Sequence, residues 1–122
     1  MLVKDVLKLC DKSMNICLDT MNGAADYIAE NYLKLHNIND VKPYQLLDAH
    51  LENRELVDER EKGSEKERIL KEAQYIIRFS GIQNVNKFLS DVQNSLEVFG
   101  DLEVDYFDQK NQGQFVIHVK EI

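Results

Sequence analysis

Eight apolar residues near the start of the chain follow one another at alternating steps of four and three: Val3, Leu7, Cys10, Met14, Cys17, Met21, Ala24 and Ile28. That spacing keeps one stripe of a helix turned toward one partner surface, as in a coiled coil or a long bundle helix. Asn31 falls where the next apolar residue is due, and Leu35 resumes the series. The pattern favours one long helix from about Leu2 to Leu35, bent at Gly23, with a break near Asn22-Gly23 as the alternative. A glycine inside a helix costs about 1 kcal/mol relative to alanine, so it is the weak point of that reading.

Helical periodicity continues to Phe99. Asp40 reads as an N-cap with Pro43 in the first turn of a second helix, which runs to about Arg60 and buries Leu46, Leu47, Leu51, Leu56 and Val57. Ser64 and Glu67 match the S-x-x-E capping box and open a third helix carrying Ile69, Leu70, Ala73, Ile76 and Ile77. A fourth carries Val85, Leu89, Val92, Leu96 and Phe99, with Gly100 as its stop.

After Gly100 the period becomes two. Leu102, Val104 and Tyr106 alternate with acids, and after a polar turn Phe115, Ile117 and Val119 alternate with Val116 and His118. This predicts a β-hairpin with one apolar face. Pairing Tyr106 with Phe115, Val104 with Ile117 and Leu102 with Val119 would set Glu103 opposite His118 and Asp101 opposite Lys120. The fold class is thus α+β, mainly α: a four- to five-helix bundle with a long N-terminal helix and a C-terminal antiparallel β-hairpin. The expected organisation is a single domain over 1–122, helical over 1–99 and hairpin over 100–122.

Composition narrows the setting. A chain of 122 residues, 43% hydrophobic and 30% charged, suits a globular domain without staples. The opening Met1-Leu2-Val3-Lys4-Asp5 does not read as a secretory signal, and no apolar run reaches membrane-helix length. Two cysteines then suggest a reducing, cytoplasmic setting. On one helix Cys10 and Cys17 would lie about 10.5 Å apart along the axis, too far to bridge. Eleven lysines against four arginines, with no tryptophan, hint at an AT-rich bacterial or phage genome.

Catalytic and cofactor signatures are missing from the sequence. His36, His50 and His118 lie in three different elements, and none pairs with a cysteine at metal-ligand spacing. Asp48, His50 and Glu52 alternate, which on a helix scatters them around the axis. Asp101-Leu102-Glu103-Val104-Asp105 resembles the start of a calcium loop. However, Tyr106 stands where that loop needs glycine and Gln112 where it needs glutamate, so no metal or other cofactor is expected.

Charge placement carries the remaining signal. Residues 91–122 hold seven acids against two lysines, five of the seven net negative charges. The expected partner-binding face is Asp91, Glu97, Asp101, Glu103, Asp105 and Asp108, with Asp105 and Asp108 lacking a cross-strand base. Such a face repels nucleic acid and attracts a basic protein surface. The bland alternative is a solubilising face. The mixed-sign run from Glu52 to Arg68 reads as solvated helix surface.

The functional expectation is a non-enzymatic acidic protein-binding module. It would be an inhibitor of phage or mobile-element type that occupies a basic, nucleic-acid-binding surface of a larger partner, without itself binding nucleic acid or membrane. The second reading is a structural or assembly homo-oligomer, the third an enzyme or ligand carrier with an unrecognised site. A homodimer is expected because a 34-residue helix would span about 50 Å and project beyond its own core.

Overall fold

The structure, a computed structural model, describes residues 1–11, 14–21, 23–79, 81–85, 97–110 and 113–122. The chain divides into two compact units, Met1–Ala25 with Ser80–Ile122, and Asp26–Phe79. The first unit holds α1 (Val3–Leu9), β1 (Asn15–Asp19), β2 (Ile82–Asn84), β3 (Val104–Lys110) and β4 (Gln114–Val119). Its four strands form one mixed sheet in the order β2-β1-β4-β3. β1 runs antiparallel to β2 and parallel to β4, and β4 runs antiparallel to β3.

That sheet overturns the helical bundle with a separate hairpin. The long N-terminal helix ends at Leu9, because Cys10 is already extended at φ −89°, ψ 143°. Cys17 satisfied the helical spacing, but Ile16 and Leu18, off the seam, are buried beside it in β1. A strand covered on both faces reads as a continuous apolar run rather than an alternation, so its signal was short and easily absorbed into the seam. Gly23 is not a bend within a helix: its φ of +84° is left-handed, and α2 (Ala24–Leu35) starts just after it. Met21, on the expected seam, is 71% exposed.

The two strands after Gly100 pair antiparallel, but β4 also pairs with β1, so they are half of a sheet and not a free hairpin. Their register differs as well. Tyr106 lies opposite His118 rather than Phe115, three positions away, and Val104 lies opposite Val119. An irregularity between Val104 and Tyr106 inserts a residue and turns the following side chains over, which apolar-to-apolar matching does not anticipate.

A clasp joins the end of β1 to the start of β2. The Thr20 hydroxyl donates to the Gly81 carbonyl at 3.0 Å and accepts from its N–H at 2.9 Å. The first turn of α1 is tied to the segment before β3 by Val3 N–H to Leu102 O at 2.9 Å and Lys4 N–H to Gly100 O at 3.0 Å. Most of the fourth expected helix, with Leu89, Val92 and Leu96, lies outside the described residues; residues 97–99 are helical.

The second unit is helical: most of α2, then α3 (Pro43–Leu51), a 3-10 turn over Glu59–Glu61 and α4 (Glu65–Arg78). The α2 and α3 helices end the same way, at an asparagine with positive φ, Asn37 at 61° and Asn53 at 55°. Ile38 N–H returns to Leu33 O at 2.9 Å and Asn37 N–H to Lys34 O at 3.0 Å. Arg54 N–H returns to Ala49 O at 2.8 Å and Asn53 N–H to His50 O at 3.2 Å. These are Schellman closures, which satisfy the last carbonyls of each helix. The second helix therefore stops at Leu51, not Arg60, and Leu51 itself is 72% exposed. Half of the capping box expected for α4 forms: Ser64 Oγ accepts from Glu67 N–H at 3.2 Å, whereas Glu67 Oε1 accepts from Gly63 N–H at 3.2 Å rather than from Ser64 N–H.

Candidate functional site

One row of side chains crosses the whole sheet on one face. Ile82 of β2, Asp19 of β1, His118 of β4 and Tyr106 of β3 are consecutive cross-strand neighbours. Directly opposed residues share a face, so the row brings an acid, an imidazole and a phenol ring together. His118 Nδ1 lies 2.8 Å from Asp19 Oδ2. The Tyr106 ring stacks on the imidazole with centroids 4.2 Å apart and planes 10° from parallel. Asp19 is fixed in turn by its Oδ1, which accepts Met21 N–H at 3.0 Å.

His118 is only 8% exposed, and its Nε2 is buried without a hydrogen-bond partner among the described residues. The nearest carboxylate oxygen facing it, Asp108 Oδ2, is 3.8 Å away, beyond hydrogen-bond reach. With Asp19 Oδ2 accepting a hydrogen bond from Nδ1–H, Nε2 is the ring nitrogen left for a further partner. An aspartate-oriented imidazole is the arrangement of a general base. No nucleophile is bonded to Nε2 among the described residues, and burial pushes the Cys17 thiol, on the same face, above its ordinary pKa. Both thiols are free, Cys10 past the end of α1 and Cys17 in β1, so the helical spacing used to separate them does not exist.

The expected acidic face separates into distinct environments. Asp91 lies outside the described residues. Glu97, Asp101, Glu103 and Asp105 are exposed. Asp101 pairs with Lys4 at 3.1 Å, and Glu103 with Lys120 at 3.9 Å, rather than with Lys120 and His118 respectively. Asp108 is not partnerless: Lys110 Nζ lies 3.0 Å from its Oδ2. The hydrogen bond from Lys110 and its charge hold the Asp108 carboxyl below its usual pKa range, and Asp108 raises Lys110 in return. Among the described residues, Glu97 and Asp105 form no ion pair.

Elsewhere, a shallow polar cavity of about 390 Å³ lies in the helical unit, lined by Asp40, Tyr44, Asp48 and Arg54 among others. Asp40 there is held by Lys66 at 3.3 Å. Among the described residues no three His, Cys, Asp or Glu side chains are placed to hold a metal ion, and no helix is long and apolar enough to cross a membrane.

Sequence reasoning missed the Asp19–His118 pair because it placed Asp19 on a helix and His118 opposite Glu103. The available signal was the run Ile16-Cys17-Leu18 ending in Asp19-Thr20, a buried strand closed by polar residues. The chain matches no protein-family model, no curated protein and no solved structure.

Proposed function

We propose that the protein is a non-enzymatic binding module whose acidic sheet edge docks onto a basic surface of a larger protein partner. What supports this reading is the run of exposed acids leading into β3: Glu97, Asp101, Glu103 and Asp105, two of them without an ion pair among the described residues. Small size and a net charge of −7 suit an inhibitor of phage or mobile-element type that covers a nucleic-acid-binding surface. The free thiols suit a reducing cytoplasm.

The test is affinity capture from the source cell, followed by binding of the identified partner to the Glu97→Lys, Asp105→Lys double variant. Asp108 is left alone because Lys110 already occupies it. Association should slow and its salt dependence flatten, while the fold is kept. Unchanged affinity from low to high salt would reduce the acidic face to solvation.

A second reading, a homodimer through the β3 edge, is favoured by the outer side of Tyr106–Lys110 having no paired strand among the described residues. The argument from a projecting N-terminal helix falls away, since α1 has only seven residues.

A further inference from the structure

We infer that the outer edge of β3 accepts an extended peptide of alternating basic and apolar residues as an added strand. This rests on the proposed docking function and states how the partner would be held. β3 is the terminal strand of the sheet, with β4 on its inner side. On its outer side residues 1–2 cover only the first positions, through the Leu2–Glu103 bridge and the bond from Val104 N–H to Met1 O at 2.8 Å. The irregularity between Val104 and Tyr106 sits at this covered end. Beyond it, among the described residues, no strand pairs with the outer side of Tyr106–Lys110. Alternate N–H and C=O groups of such an edge are free to bind an incoming backbone.

The two faces of this edge ask for different side chains. On one face stand Tyr106 and Asp108, with His118 behind them. Lys110 Nζ, 3.0 Å from Asp108 Oδ2, shows that an ammonium group reaches this carboxylate. Beside it lies His118 Nε2, which has no hydrogen-bond partner among the described residues, and Tyr106 is 54% exposed, offering an aromatic surface to a cation. On the other face Phe107 is 45% exposed and stacks on Phe115 at 5.4 Å, offering an apolar seat. Side chains of an added strand alternate between faces. A cation over the exposed Tyr106 ring, displacing Lys110 from Asp108, therefore comes with apolar neighbours over Phe107.

The probe is a capped peptide of four lysine–valine pairs, compared with an isomer that has the four lysines first and the four valines after. The full chain is tagged at its C terminus, because an N-terminal extension would run from Met1 along the same edge. The alternating peptide should bind at least tenfold more tightly than the isomer and slow amide exchange within Tyr106–Lys110. Methylating its backbone nitrogens at alternate residues along the pairing edge should abolish that advantage. Equal, salt-sensitive binding of both isomers would overturn strand addition and leave acidic docking standing. Failure of both to bind at low salt would overturn the two together.

Discussion

At the scale of single residues, Asp19 is the side chain on which most depends. Its Oδ2 accepts a hydrogen bond from Nδ1–H of a buried imidazole at 2.8 Å, and its Oδ1 closes the turn by accepting Met21 N–H at 3.0 Å. Removing the carboxylate strands a buried donor, and an unsatisfied buried polar group costs about 1 to 3 kcal/mol. Asp19→Ala should therefore destabilise the protein by about 2 kcal/mol in urea unfolding. Asp19→Asn, which keeps an acceptor oxygen, should recover part of that loss. An alanine variant within about 0.5 kcal/mol of the parent, the scatter of ordinary surface changes, would show that the pair adds nothing to stability. Nitrogen shifts of the His118 ring give an independent check, since loss of Asp19 should release its tautomer.

At the scale of elements, the helices that announced themselves are those with local closing chemistry. Ser64 and Glu67 start α4, and Ile69, Leu70, Ala73, Ile76 and Ile77 line its buried stripe, all within one stretch of sequence. Ser64→Ala should cost about 1 kcal/mol of stability, the usual worth of such a cap. Equal denaturation midpoints for parent and variant would show the cap to be redundant with the Glu67–Gly63 bond. β1 gave no comparable notice. Its partners Gln114–Val119 and Ile82–Asn84 lie more than sixty residues away, and a parallel pairing leaves no turn signature in the sequence. The stop at Leu35 was legible, but the one at Leu51 was not, because Asn53 is read as a helix end only once its positive φ is known. The acidic tract could be read from composition alone. Its pairing could not, because Lys4, which holds Asp101, is 97 residues away.

At the scale of the whole molecule, the two readings of the β3 edge differ in the sign of their salt dependence. Self-pairing along the open part of this edge would bring the acidic β3 regions of two copies together, on a chain of net charge −7. Repulsion of that kind is screened by salt: the Debye length falls from about 10 Å at 0.1 M to about 3 Å at 1 M. A dimer held through β3 should therefore strengthen as salt rises. Docking onto a basic partner should weaken over the same range, because the attraction that drives it is screened. The binding-module reading expects light scattering at low salt to return the 14.2 kDa chain, with partner affinity falling as salt is added. A mass that doubles with added salt would favour the homodimer. A doubled mass already present at low salt and indifferent to salt would place the self-contact away from this acidic edge, leaving β3 open to a foreign strand.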